Sequence, residues 1–312
     1  MTGAGAPRAG GLLVVGDVVT DVVARHREPL KAATDTPARI RTLPGGAGAN
    51  VACWAARSGC ADVRLLGRVG TDSASWHEAE LRRAGVRPLL AVDPDAPTAS
   101  VIALVGPDAE RTFLTDSGAS LRLAPGDWSP GLLAGVARVH LSGYLFFAEP
   151  SRETAARVLA DARAADVPVS VDPASAGFLA ELGADRFLGA AAGAACLLPN
   201  ADEARALTGL TRADEAAAAL SLRFPLVAVT LGGEGAVLAA DGRVTARVGA
   251  PPVRPVDSTG AGDAFTGAFL AALLAGATPS RAAAAGCHAG AEAVTRVGGR
   301  PEPGRPAGGA GA

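Results

Sequence analysis

The feature that most constrains this chain is a repeated alternation of short β-branched runs with alanine-rich stretches of helical period. Runs at 12–15, 63–66, 138–141, 169–171, 195–198 and 226–230 read as strands, and 49–57, 73–84, 151–165 and 201–207 read as helices between them. Two longer helices, 261–275 and 279–294, close the pattern. Strands joined through helices can pair only in parallel, with the helices covering both faces of the sheet. The predicted fold class is therefore α/β, with a mostly parallel central sheet flanked by helices on both faces.

Two stretches, 18–43 and 97–115, break the rhythm, because extended patterns such as Thr98-Ala-Ser-Val-Ile-Ala-Leu and Arg111-Thr-Phe-Leu-Thr follow one another with no helix between. They suit either antiparallel edge strands of the main sheet or a small β-sheet lid across its carboxyl edge, where open α/β folds bind ligands. The lid is the preferred arrangement. Both ends are low in complexity, so residues 1–11 and 299–312 are expected to be disordered tails around one domain spanning 12–298. Thr2-Gly-Ala-Gly5 looks like a phosphate loop, but no helical pattern follows it.

Composition removes several function classes. The 312 residues are 49% apolar with a formal charge of −2 and no dense basic run, so the chain has a full core and lacks the electrostatic footprint of a nucleic-acid or membrane binder. Lys31 is the only lysine among 29 basic residues, and it sits in neither a P-loop nor a protein-kinase strand motif. Phosphates must then be met by backbone amides, helix termini, arginine and metal. Cys53, Cys60, Cys196 and Cys287 have no C-x-x-C spacing, and the four histidines form no metal-ligand pair, which argues against zinc and for a reducing compartment. With no apolar leader and no apolar span of membrane length, the expected location is the cytoplasm.

The chemistry concentrates in two glycine-rich loops that each lead into a helix. In Asp257-Ser-Thr-Gly-Ala-Gly-Asp263-Ala-Phe, the N–H groups of Gly260, Ala261 and Gly262 can converge on an anion with a helix dipole behind them. Asp263, in the first turn, is electrostatically odd beside an anion unless it takes a proton from a hydroxyl held between the two, which would make it a general base. The plainer reading is a helix cap beside a turn. In Leu43-Pro-Gly-Gly-Ala-Gly-Ala-Asn50, the bare backbone at Gly45, Gly46 and Gly48 lets a polar ligand approach while Asn50 offers a donor and an acceptor; the alternative is a loop with Asn50 as N-cap. Neither loop has the third glycine of a dinucleotide fingerprint.

Together and in this order, about 210 residues apart, these glycine-rich loops resemble the paired signatures of the PfkB/ribokinase family of carbohydrate kinases. Val15-Gly-Asp17, Leu198-Pro-Asn200-Ala-Asp-Glu203 and Val229-Thr230-Leu-Gly232-Gly-Glu-Gly235-Ala match further segments in order, so that the resemblance covers roughly residues 11–298. It implies a ribokinase-like fold and a kinase using ATP and Mg²⁺, with room for a monovalent cation near the carbonyls of Asp257 and Thr259. Asp263 would be the catalytic base, and the amides of Gly260, Ala261 and Gly262 the anion hole. Asp17, Gly45, Gly46 and Asn50 would hold the acceptor. Asn200 and Glu203 would position magnesium, through water, and phosphate, although the same pair also reads as a capping box. Thr230, Gly232 and Gly235 resemble the nucleotide-phosphate contact, and Cys287 falls where the family packs adenine.

The expected reaction is in-line transfer of the γ-phosphoryl group of ATP to a hydroxymethyl group of a sugar or sugar-like acceptor. The alternative in the same family is a nucleoside kinase, for which Tyr144, with Phe146 and Phe147, would stack the base. Arg111, in the expected lid, would touch a phosphate or an anionic acceptor, or else be a solvated strand arginine. A non-catalytic binding protein is disfavoured because Asp263, Asn200 and Glu203 all stand in place. The expected partner is a small molecule, with no nucleic acid and no membrane; a homodimer is expected from the resemblance alone.

Overall fold

The structure, a computed structural model, describes residues 10–106 and 111–302. The chain runs β1 (Gly11–Val15), β2 (Val19–His26), β3 (Ala38–Gly45), α1 (Ala47–Arg57), β4 (Val63–Gly70), α2 (Ala74–Arg83), β5 (Val86–Asp93), β6 (Ala99–Val105) and β7 (Arg111–Asp116). It continues through β8 (Val136–Ser142), α3 (Glu149–Ala164), β9 (Val169–Asp172), α4 (Ala176–Leu182), α5 (Ala184–Ala190), β10 (Cys196–Leu197), α6 (Ala201–Thr208) and α7 (Ala213–Leu220). It ends with β11 (Leu226–Thr230), β12 (Ala236–Ala240), β13 (Arg243–Val248), α8 (Ala261–Leu274) and α9 (Pro279–Ala293).

Nine strands form the main sheet in the order β13-β12-β11-β10-β9-β8-β1-β4-β5, and all pair in parallel except β12 and β13. β1 shows why a parallel strand is continuously apolar: Leu13 and Val15 enter one core with α3, α5, α6 and α7, while Leu12 and Val14 enter the other with α1, α2, α8 and α9. Helices thus cover both faces, as the βα alternation predicts. Trp54 of α1 is buried against α8, where Gly267 leaves no room for a side chain: a Cβ there would lie 2.7 Å from the Trp54 Cβ. Among the described residues no helix is long and apolar enough to cross a membrane.

The two aperiodic stretches form a separate four-stranded sheet, β3-β2-β6-β7, and not edge strands of the main one. Alternate residues Val19, Asp21 and Val23, Ala99, Val101 and Ala103, and Phe113 and Thr115 face a common cleft. The opposite pleat leaves Ile40, Ile102 and Leu114 exposed. Sheet order also places the site. The chain leaves β1 towards β4 and β5, then returns to β8 on the other side, so a crevice opens at the carboxyl ends of β1 and β8.

The domain boundaries read from composition are too narrow at both ends. Gly11 pairs with Val136 inside the sheet, and Gly299 and Arg300 pack against α1 and β3 although their neighbours are glycine and proline. Residues 1–9 and 303–312 lie outside the described residues.

Candidate active site

The carboxyl ends of β1, β8, β9, β10 and β11 converge on one cleft of about 510 Å³ under the second sheet, bringing together Asp17, Asp21, Gly46, Asn50, Tyr144, Asp172, Asn200, Glu203, Thr230, Gly262 and Asp263. Two glycine-rich loops 213 residues apart meet there, because the Asn50 Nδ2 donates to Asp263 Oδ2 at 2.8 Å. Asn50 is therefore not a helix cap. Gly46 occupies that position with φ 96°, and a Cβ on it would lie 2.6 Å from the Asp17 carbonyl.

Asp17 lines the cleft, but both its oxygens serve the protein. Oδ2 accepts from Ala47 N at 2.6 Å, and Oδ1 accepts from Gly48 N at 3.1 Å and from Ser142 Oγ at 2.7 Å. It thereby caps the first turn of α1 across the β1–α1 crossing. Asp21, four residues on and on the cleft-facing pleat of β2, accepts no hydrogen bond among the described residues. Burial pushes its carboxyl up to about 6, against the pull of Arg300. Sequence reasoning missed Asp21 because its significance depends on which pleat of the second sheet faces inward. It also missed Asp172, at the carboxyl end of β9, although that is the kind of position that nominated Asp17.

At the start of α8, Gly260 takes φ 73° and the helix begins at Ala261. The Ala261 N–H turns back to the Ser258 carbonyl at 3.3 Å, whereas those of Gly260 and Gly262 have no protein acceptor among the described residues. Of the three nominated amides, two have no such acceptor and one is partly spent, and of the three residues only Gly262 lines the cleft. The Asp257 carboxylate ties the loop together, accepting from Thr259 N at 2.7 Å and from Gly298 N at 3.1 Å.

Asn200 and Glu203 form a reciprocal capping box, each backbone N–H donating to the other's side-chain oxygen at 2.9 Å. Both also line the cleft, so the two sequence readings coexist. Asn200 and Thr230 are shared with an adjoining cleft of about 490 Å³ that contains Gly232, Glu234, Arg212 and Arg247. The two arginines were not foreseen; Arg247 pairs with Asp214 and Arg212 with Glu215. Of the nominated residues, Gly45, Gly235, Gly260, Ala261 and Cys287 line neither cleft. Gly235 closes the turn before β12, donating to the Gly232 carbonyl, and Cys287 is buried in α9 with its thiol towards the Val248 carbonyl. Arg111 opens β7, but its side chain lies outside the described residues.

The cleft is strongly acidic. Burial holds Asp263 well above the usual carboxylate range, opposed by the Asn50 hydrogen bond and reinforced by Asp172, Asp17 and Asp21. Burial likewise raises Asp172 and Glu203, with the charge of Asp17 adding to the shift of Asp172 and that of Asp172 adding to the shift of Glu203. Tyr144 is pushed upward by burial and then by the same acids. Carboxyls raised in the folded state bind protons on folding, so they stabilise the fold below their unfolded values and lose that contribution as pH climbs through the folded ones. Without nucleotide or metal, the melting temperature is expected to rise as pH falls from 8 to 5.5. Differential scanning calorimetry checks this, and Glu203→Gln should flatten the slope.

The comparisons with known proteins agree with this architecture. The family model described as pfkB family carbohydrate kinase matches residues 10–304. The chain is 32% identical to a fructokinase of Klebsiella pneumoniae, over 88% of each chain, and 31% identical to the ribokinase of Bacillus subtilis, over 85% of this chain and 86% of the relative. Its fold matches the crystal structure of an adenosine kinase from Sinorhizobium meliloti with a TM-score of 0.85 at 23% identity, covering 95% of this chain and 97% of that one. The chain belongs to the pfkB family of carbohydrate kinases, phosphotransferases that act on hydroxyl groups.

Proposed function

We propose that the protein transfers the γ-phosphoryl group of ATP, with Mg²⁺, to a hydroxymethyl group of a sugar bound against Asp21 and Asn50. The observation that carries this reading is the Asn50–Asp263 hydrogen bond, which joins a hydroxyl-binding group to a carboxyl at the mouth of an anion hole. Asn50 fixes Oδ2 of Asp263, leaving Oδ1 to take the proton of the attacking hydroxyl. Asp21, with no protein donor among the described residues, accepts from the acceptor's other hydroxyls. The Gly262 amide in the cleft, with that of Gly260 behind it and the α8 dipole, would stabilise the charge of the transferred group.

The donor set fits a phosphate-bound cation better than a metal held by protein alone. Among the described residues no three His, Cys, Asp or Glu side chains form a metal-holding group, yet Asp172, Glu203 and Asp263 crowd one buried cleft. Asn200 and Glu203 would hold magnesium through water, and the ion would neutralise phosphate charge during transfer. Thr230, shared by the two clefts, and Gly232, in the adjoining one, would receive the nucleotide phosphates.

A second reading, a nucleoside acceptor, is favoured by one feature. Tyr144 and Phe178 line the cleft, with Phe178 stacked on Phe147 at 5.0 Å and edge-on to Tyr144 at 5.8 Å, while Phe113 stands at the rim. Such a wall suits the face of a flat ring. Acceptor-dependent ADP release across pentoses, hexoses, ketoses, sugar phosphates and nucleosides tests both readings. If a sugar is the acceptor, Phe178→Ala should leave its KM within about threefold. If a nucleoside is, losing a stacking face worth about 1–3 kcal/mol should raise KM roughly 5- to 150-fold. Absence of ADP release with every acceptor would overturn the kinase reading.

A further inference from the structure

The segment that follows α9 turns back across both glycine-rich loops. Gly298 N donates to Asp257, Trp54 Nε1 donates to the Gly299 carbonyl at 2.9 Å, and Arg300 Nη2 donates to the Gly45 carbonyl at 2.9 Å. Gly299 lies so close to Asn50 and to Gly260 that a Cβ on Gly299 would run into Asn50 Nδ2 and one on Gly260 would run into Gly299. One short segment thus touches the start of α8 and the acceptor loop together. The charged group it brings there is the Arg300 guanidinium, whose Nε and Nη1 are buried without a hydrogen-bond partner among the described residues. Gly45 also abuts Asp21, close enough that a Cβ at Gly45 would run into its Oδ2.

We propose that Arg300 is a positioning residue for the acceptor site: through the Gly45 carbonyl it fixes the turn that carries Gly46 and Asn50, and its guanidinium is the counter-charge of Asp21 beside Gly45. The inference rests on the reading of Asp21 and Asn50 as the acceptor site. A buried guanidinium with two unused donors is costly unless an anion lies beside it. Asp21, itself without a protein donor among the described residues, is that anion. Of the charged groups that face Asp21, Asp17 and Asp257 are acidic and Arg300 is the cation. Arg300 in turn faces Glu80 of α2 and the Cys53 thiol of α1 besides Asp21. His77 of α2, which bonds Thr20 Oγ1 at 3.0 Å, is pushed down to about 4 by burial and then by Arg300, and so stays neutral. With Arg300 removed, Asp21 would keep its burial and its acidic neighbours and lose the favourable charge.

The test is a carboxyl ¹³C NMR titration of aspartate-labelled protein, with Asp21→Asn identifying the resonance, run beside steady-state kinetics. In the parent protein the Asp21 midpoint should lie at about 6. Arg300→Gln should raise it by about one unit, and Arg300→Lys should leave it within a few tenths. Arg300→Gln should also raise acceptor KM about tenfold or more while ATP KM and kcat stay within about threefold. An unmoved Asp21 midpoint in folded Arg300→Gln, or a parallel rise in both KM values, would overturn the proposal. If the glutamine variant does not fold, the lysine variant decides: a midpoint near the parent value supports the role, and a rise of a full unit overturns it. Failure of every acceptor in the parent enzyme would sink the kinase reading instead, and the titration would still decide the role of Arg300.

Discussion

Asp263→Asn is expected to lower acceptor-dependent turnover by about three orders of magnitude while changing the binding of ATP and acceptor only a few-fold. The substitution keeps the shape of the side chain and its place beside Asn50, so that the cleft's architecture survives. On the proposed mechanism it removes the group that receives the hydroxyl proton, and general-base contributions run from about 10² to 10⁴. Charge removal should also relieve the neighbouring acids, because Asp263 is one of the groups that raise Glu203 and Tyr144. The asparagine variant is therefore expected to be at least as stable as the parent at neutral pH. Three measurements check this together: single-turnover rates of ADP formation, calorimetric binding of acceptor, and a melting curve. Lost turnover with intact binding and an unchanged or higher melting temperature identifies a base. Turnover within tenfold of the parent would mean that Asp263 only shapes the start of α8.

Much of the architecture is legible in the chain because local chemistry and global fold agree there. β1, β4, β8, β9 and β11 are short, largely buried runs rich in valine and leucine, and α1, α3, α8 and α9 are rich in alanine. The edges are harder to see. β5 carries Arg87 and Pro88, which an edge strand tolerates and a pattern search does not. The β12–β13 hairpin hides behind a glycine-rich motif, although Asp241-Gly242, both at positive φ, is the kind of dipeptide that turns hairpins. In the site, Asp263, Asn50, Asn200 and Glu203 sit in local motifs and so can be found from spacing. Asp21, Asp172 and Arg300 have no motif. Asp21 needs the inward pleat of the second sheet, Asp172 needs a strand end, and Arg300 needs a segment whose composition resembles a tail yet is pinned by three hydrogen bonds.

Gly260→Ala is expected to cut turnover about a hundredfold and to lower the melting temperature, whereas Gly262→Ala, two residues later, should preserve or raise stability. The two glycines are close in the motif and differ in physical role. Gly260 has φ 73°, and a Cβ on it would stand 2.5 Å from Gly299 Cα and 2.7 Å from the Gly299 carbonyl oxygen. Alanine there costs roughly 1–2 kcal/mol for the left-handed backbone and must also displace the segment that carries Arg300. Since that segment abuts Asn50, the disturbance reaches the loop of Asn50 and the start of α8 together, the proposed acceptor site and anion hole, and a displacement of about 1 Å is enough to cost roughly 10² in rate. A Cβ on Gly262 would meet nothing within 4 Å, and its position inside α8 favours alanine by about 0.5–1 kcal/mol. Because Gly262 faces the cleft, the alanine methyl would point into the space proposed for phosphate, so any loss of activity there should appear in ATP KM with stability intact. Melting curves and initial rates for both variants separate the cases. Equal melting temperatures in the two would mean that Gly299 does not brace the start of α8, and would remove the steric link between the C-terminal segment and the proposed anion hole.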